Sequence, residues 1–270
     1  MNFRDRLGFD SGNRRLEEAI EWAVVNGFHY LDFNADVGPN RLSNWSDERV
    51  RAVRDSCERH AIHIGIHPSS AVNMAEFSPF VSEAVDEYIR AHIDLSARLG
   101  CEWIVVHGGF HFSTAREERR SASLERLKRG VEQAGRVGAY LLLENHNKEP
   151  GDSEVHYQPY NVEEFRYYFE EISSDHFGWA FTANHANLVP EGIDGFLDAF
   201  GIDRIGEVRL ADNLGVKEVH LRPGQGNINF ESMFRRLESA GYGGHYSLNF
   251  GSYQDMLEVR DEFQASYGNG

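Results

Sequence analysis

The chain has 270 residues with 43 acidic and 27 basic side chains, a formal charge of −16. That balance disfavours nucleic-acid binding by phosphate neutralisation, which needs clustered Lys and Arg. The content of 41% hydrophobic and 12% aromatic residues excludes a disordered chain. No run approaches 18 consecutive apolar residues, and residues 1–9 lack the apolar core and cleavage site of a signal peptide, so a cytoplasmic protein with no membrane partner is expected. Cys57 and Cys101 sit in helix-like and strand-like surroundings, which argues against a disulfide framework. Arg outnumbers Lys 24 to 3, a composition suited to salt.

Along the chain, short β-branched or aromatic runs alternate with longer amphipathic stretches, the pattern of β/α units around a parallel sheet. A first strand is expected at 6–9 and a helix at 14–26, then a strand at 29–34 and a helix at 47–61. Strands at 62–67 and 102–107 precede helices at 80–99 and 117–137. The second half repeats the unit four times: strands at 139–145, 178–183, 206–211 and 245–250, each followed by a helix, at 161–172, 193–200, 230–240 and 254–267. Gly27, Gly100, Gly138 and Gly201 stand where helices should stop. Eight strands and eight helices in one chain predict an α/β fold, a single (β/α)8 TIM barrel spanning 1–270. An open doubly wound sheet is the alternative, but GFDSGN after the first strand lacks the GxGxxG spacing, so no nucleotide cofactor is expected.

In such a barrel the active site lies on the rim where strands end. The strand ends supply His67, His107, Glu144, Thr182 with His185, Arg209 with Asp212, and Asn249. One terminal histidine is ordinarily structural, but several converging from different strands point to a binding site. Glu144 follows a run of apolar residues, where a carboxylate needs a partner. Asp212 and Asn213 are expected to brace the rim, and Trp103 to lie in the core. Gly224 and Gly226 precede the helix near 230, so their N–H groups could hold a phosphate or could simply shape the loop. Trp45, Phe110, Phe112 and Tyr157 fall on rim loops and could wall the pocket.

The segments VVHGG, LLLENH, FTANHANL, VRLADNLG, HLRPGQGNINF and GYGGHYSLNF, in this order, resemble the xylose isomerase-like TIM-barrel superfamily of sugar isomerases, epimerases and endonuclease IV-type enzymes. The resemblance implies a divalent metal held by Glu, Asp, His and Glu at the ends of strands 5 to 8. Those positions hold Glu144, Thr182, Arg209 and Asn249, so three of the four ligands are replaced. Arg209 cannot ligate, and it is expected to pair with Glu144 in the metal's place, leaving a pocket less negative than its relatives'. The outer endonuclease IV-type groups are kept as His67, His107 and Glu144, and as His185, Glu218 and His220. Their nitrogen-rich donors favour zinc, then manganese.

Three functions follow as expectations. The first is an isomerase or epimerase acting on a small polyhydroxylated carbohydrate. In it Glu144 serves as acid/base, His185 and His107 orient hydroxyls, and Arg209 steadies an oxyanion; His67, Thr182, Asn249, Gly224 and Gly226 contact substrate. The second is zinc-assisted hydrolysis of a phosphate ester. The third is a carbohydrate-binding barrel without catalysis. The resemblance also implies a homo-oligomer.

Overall fold

The computed structural model describes residues 2–267. Eight parallel strands close into a barrel: β1 (Leu7–Asp10), β2 (Tyr30–Phe33), β3 (His63–Ile66), β4 (Trp103–Val106), β5 (Leu141–Glu144), β6 (Phe177–Thr182), β7 (Ile205–Leu210) and β8 (His245–Leu248). Closure is made by β8 pairing with β1, with Tyr246 opposite Leu7 and Leu248 opposite Phe9. Every expected strand is present, within three residues at each end.

The helices follow the same agreement: α1 (Leu16–Asn26), α2 (Asp47–His60), α3 (Pro79–Leu99), α4 (Arg116–Val137), α5 (Val162–Glu171), α7 (Gly192–Phe200), α8 (Phe230–Ser239) and α9 (Tyr253–Tyr267), with a single extra turn, α6 (Ala183–Ala186), directly after β6. Ser46 and Asn161 cap α2 and α5 by accepting the N–H groups of Arg49 and Glu164. Gly27, Gly100 and Gly138 take the left-handed conformation that ends α1, α3 and α4. Cys57 and Cys101 are both free and buried.

Alternation along the strands sorts the residues into two cores. Outward residues such as Phe9, Ile66, Leu143, Trp179 and Leu248 join helix residues including Ile20, Ile93 and Phe165 in one large buried cluster. Inside the barrel a smaller plug of Trp103, Val105, Leu142 and Ala180 packs with Tyr30 and Tyr140. Tyr30 stacks between His63 and His245, with ring centroids 4.6 and 4.7 Å away. Gly65 makes room for this plug, since a Cβ there would stand 2.0 Å from the Trp103 indole nitrogen. Trp103 is therefore core, as its sequence position suggested. The plug closes the bottom and leaves the opposite, C-terminal end as the mouth.

At the mouth, Phe110–His111 and His156–Tyr157, from the loops after β4 and β5, pair as a short antiparallel ribbon that no expected strand foreshadows. Trp45 does not join them as a wall: it is buried beneath Arg49 and donates to the Asn40 carbonyl at 2.8 Å.

Candidate active site at the barrel mouth

The ends of β3, β4 and β5 bring His67, His107 and Glu144 together. His67 Nε2 lies 3.2 Å from His107 Nε2, and the two stand 3.8 and 3.1 Å from Glu144 Oε2. Glu144 Oε1 accepts the Thr182 hydroxyl at 2.6 Å, so buried Thr182 anchors the carboxylate in place of ligating. Burial opposes the charge on Glu144, but hydrogen bonds from His107 and His67 hold its pKa well below the ordinary carboxylate range. His67 loses affinity for a proton through burial, yet Asp10 and Glu144 outweigh that and raise it to about 9. His107, more fully desolvated, is shifted downward.

Asn145 fixes the neighbouring strand. Its side-chain oxygen accepts from Thr182 N and Trp179 Nε1, its amide donates to the Thr182 carbonyl, and its own carbonyl accepts His185 Nδ1 at 2.9 Å. His185 Nε2 is thereby turned toward Glu218 Oε1, 3.2 Å away, which also meets His220 Nε2 at 2.7 Å. Burial raises the Glu218 carboxyl, but His185 and His220 bring it down to about 2. Among the described residues these are the two groups of three whose donor atoms lie within 4.8 Å of one another.

Both groups suit a divalent cation. Carboxylates and carbonyls only accept, so His67 Nδ1 donates to Asp10 at 3.4 Å, and His185 and His220 Nδ1 donate to the carbonyls of Asn145 and Asn249. Outer hydrogen bonds of this kind are what orient ligating imidazoles. Glu218 Oε2 is buried without a partner, an acceptor that a cation would satisfy. Two imidazoles and one carboxylate form a recurrent zinc donor set that leaves a coordination position open for water or substrate.

Arg209 lies beside Glu144 as expected, but its closest partners are three other carboxylates. It is 1% exposed and bound by Asp32 at 2.6 Å, Glu207 at 2.5 Å and Asp10 at 2.9 Å, whereas Glu144 Oε1 lies 3.9 Å from an Nε that has no hydrogen-bond partner. The Arg209 charge is met by three carboxylates, from Asp10, Asp32 and Glu207. Burial and the nearby Glu207 raise the pKa of Asp32, which also accepts Trp103 Nε1 and the Ser247 hydroxyl. Sequence reasoning missed Asp10, Asp32 and Glu207. A signal was available in period-two alternation, which puts Glu207 on the same face as Arg209.

The loop after β7 also corrects an expectation. The N–H groups of Gly224 and Gly226 both donate to Asp212 Oδ2 at 2.9 Å, and Ile228 N donates to Oδ1. Asp212 occupies the place offered to a phosphate, and Gly226 is required because a Cβ would lie 2.2 Å from that carboxylate. Asp212 does brace the rim. His146 is buried between Tyr157 and His185 in a parallel ring stack, with its pKa pushed down to about 3 by burial and then by His107.

The xylose isomerase-like TIM-barrel family model matches residues 20–266. The chain belongs to that family. A relative in Methanocaldococcus jannaschii, the uncharacterized protein MJ1311, is 28% identical over 247 residues, covering 89% of this chain and 78% of its own. A probable endonuclease 4 of Thermotoga maritima is 23% identical over 223 residues, 76% of this chain and 75% of that one. The crystal structure of a D-tagatose 3-epimerase-like protein superposes with a TM-score of 0.84 at 24% identity, covering 97% and 96% of the two chains. The family's barrel is thus the fold of this chain, and the D-tagatose 3-epimerase-like protein shares that fold.

Proposed function

We propose that the chain is a metal-dependent isomerase or epimerase that moves a proton on a small polyhydroxylated carbohydrate. The observation that carries this reading is the convergence on one barrel mouth of two groups, each of two histidines and one carboxylate, in a fold shared with a D-tagatose 3-epimerase-like protein. His67, His107 and Glu144 would hold a divalent cation, zinc before manganese, whose chemistry is to polarise a substrate carbonyl. Both Glu144 oxygens are engaged and its pKa is depressed, so we assign it to holding charge at the reacting carbons more than to free proton exchange. The proton is assigned to His185, which Asn145 and Glu218 hold at the mouth; burial lowers its pKa, but Glu218 outweighs that and raises it. Arg209 lends positive charge beneath Glu144, its Nε lying 3.9 Å from Glu144 Oε1. Asn249, which lines the neighbouring cavity, is assigned to a substrate hydroxyl.

A second reading, metal-assisted hydrolysis of a phosphate ester, draws on one observation: His185 and His220 both carry the outer hydrogen bonds of metal ligands. Incubation of manganese- and zinc-loaded protein with a panel of free ketoses, and separately with p-nitrophenyl phosphates, distinguishes them. Ketose interconversion that is lost in His185→Ala and Glu144→Gln is the expected result. Phosphate release without ketose turnover, or sugar binding with no turnover of either class, would contradict the first reading.

A further inference from the structure

A cavity of about 280 Å³ opens between the loops that follow β1 and β8. Asp10, Ser11, His220 and Asn249 form its polar wall, and Phe250 and Tyr253 an apolar one. Asp10 contacts both His67 and Arg209, and His220 contacts Glu218, so a molecule in the cavity lies one side chain away from either ligand group. At that volume it suits part of a ligand, since whole sites start at about 300 Å³.

Ser11 is 3% exposed and its hydroxyl has no partner among the described residues. The backbone that carries it is fixed: its N–H donates to the Asp32 carbonyl at 2.8 Å and its carbonyl accepts the Tyr253 hydroxyl at 3.0 Å. A hydroxyl shut away from partners is unfavourable until a ligand or ordered water meets it.

The charge of the cavity wall narrows what it can hold. Among the described residues no lysine or arginine lines it to neutralise a phosphate, and Asp10 is already paired with Arg209 and His67. Arg14 stacks on the Tyr253 ring and Arg222 is paired with Glu258 and Glu262, both outside the lining. The loop amides that could have held phosphate already hold Asp212.

From these contacts we infer that this cavity is the subsite for an uncharged, hydroxyl-bearing end of the substrate, with Ser11 as its hydrogen-bonding residue. Free sugars are then the substrates, and their terminal phosphates are excluded. The inference rests on the carbohydrate reading above.

Titration calorimetry on the metal-loaded chain, with D-tagatose and D-tagatose 6-phosphate as probes, tests it. The free ketose is expected to bind at least tenfold more tightly than the phosphate. Ser11→Ala should weaken the free ketose about five- to tenfold with metal content and unfolding temperature as in the wild type. Equal or tighter binding of the phosphate overturns the inference, as does wild-type affinity in Ser11→Ala. Ketose turnover with binding indifferent to Ser11 sinks the subsite alone, and Ser11-dependent binding without turnover sinks the proposed reaction alone. If neither probe binds, the subsite and the carbohydrate reading fall together.

Discussion

Asp212 accepts the N–H groups of Asn213, Gly224, Gly226 and Ile228, and so carries the whole loop between β7 and α8. Removing a buried acceptor leaves its donors unsatisfied, and hydrogen bonds to a charged group are worth about 1.5–3 kcal/mol. Asp212→Ala is expected to lower stability by about 3 kcal/mol in urea unfolding, and a loss below about 1 kcal/mol would show that the loop holds itself. The sequence pointed to the right glycines for a reason that proved different. A glycine-rich turn before a helix reads the same whether its amides await a ligand or already surround a carboxylate, and only the position of Asp212 decides between them.

Arg209 ties together β1, β2 and β7 through Asp10, Asp32 and Glu207. A buried ion network is weak evidence for stability, but deleting one member exposes the rest of its charge to a poorly solvated interior, at about 3–5 kcal/mol. Arg209→Met should therefore destabilise the barrel by that amount, and adding Asp32→Asn should recover part of it; an Arg209→Met protein as stable as the wild type would contradict the network. At this scale the barrel strands were legible because outward residues form apolar runs. Asp32 and Glu207 were not, because each is a single charged residue inside such a run. The Asp32 partners Arg209 and Ser247 lie 177 and 215 residues away in the sequence, a separation no local pattern reports, whereas Glu207 stands two residues from Arg209.

For the molecule as a whole, the charge of −16 is met by many exposed arginine–carboxylate pairs, each worth little. Self-repulsion of the excess acid should be the larger effect, and screening falls to about 3 Å at 1 M salt. Raising KCl from 0.1 M to about 2 M is expected to raise the unfolding temperature, whereas a fall would mean that the surface pairs dominate. Net charge was a poor guide to the interior, which gathers Asp10, Asp32, Glu144 and Glu207 around one arginine. The architecture and the His67, His107 and Glu144 positions could be read from strand ends, since those strands deliver their last residues to one mouth, whereas Glu218 and His220 lie on the loop before α8 and were named only through the family resemblance. The central account turns on whether those groups bind metal. Elemental analysis of zinc-loaded, desalted protein is predicted to find at least one equivalent, with one equivalent lost in His107→Ala, whereas less than about half an equivalent in the wild type would contradict it.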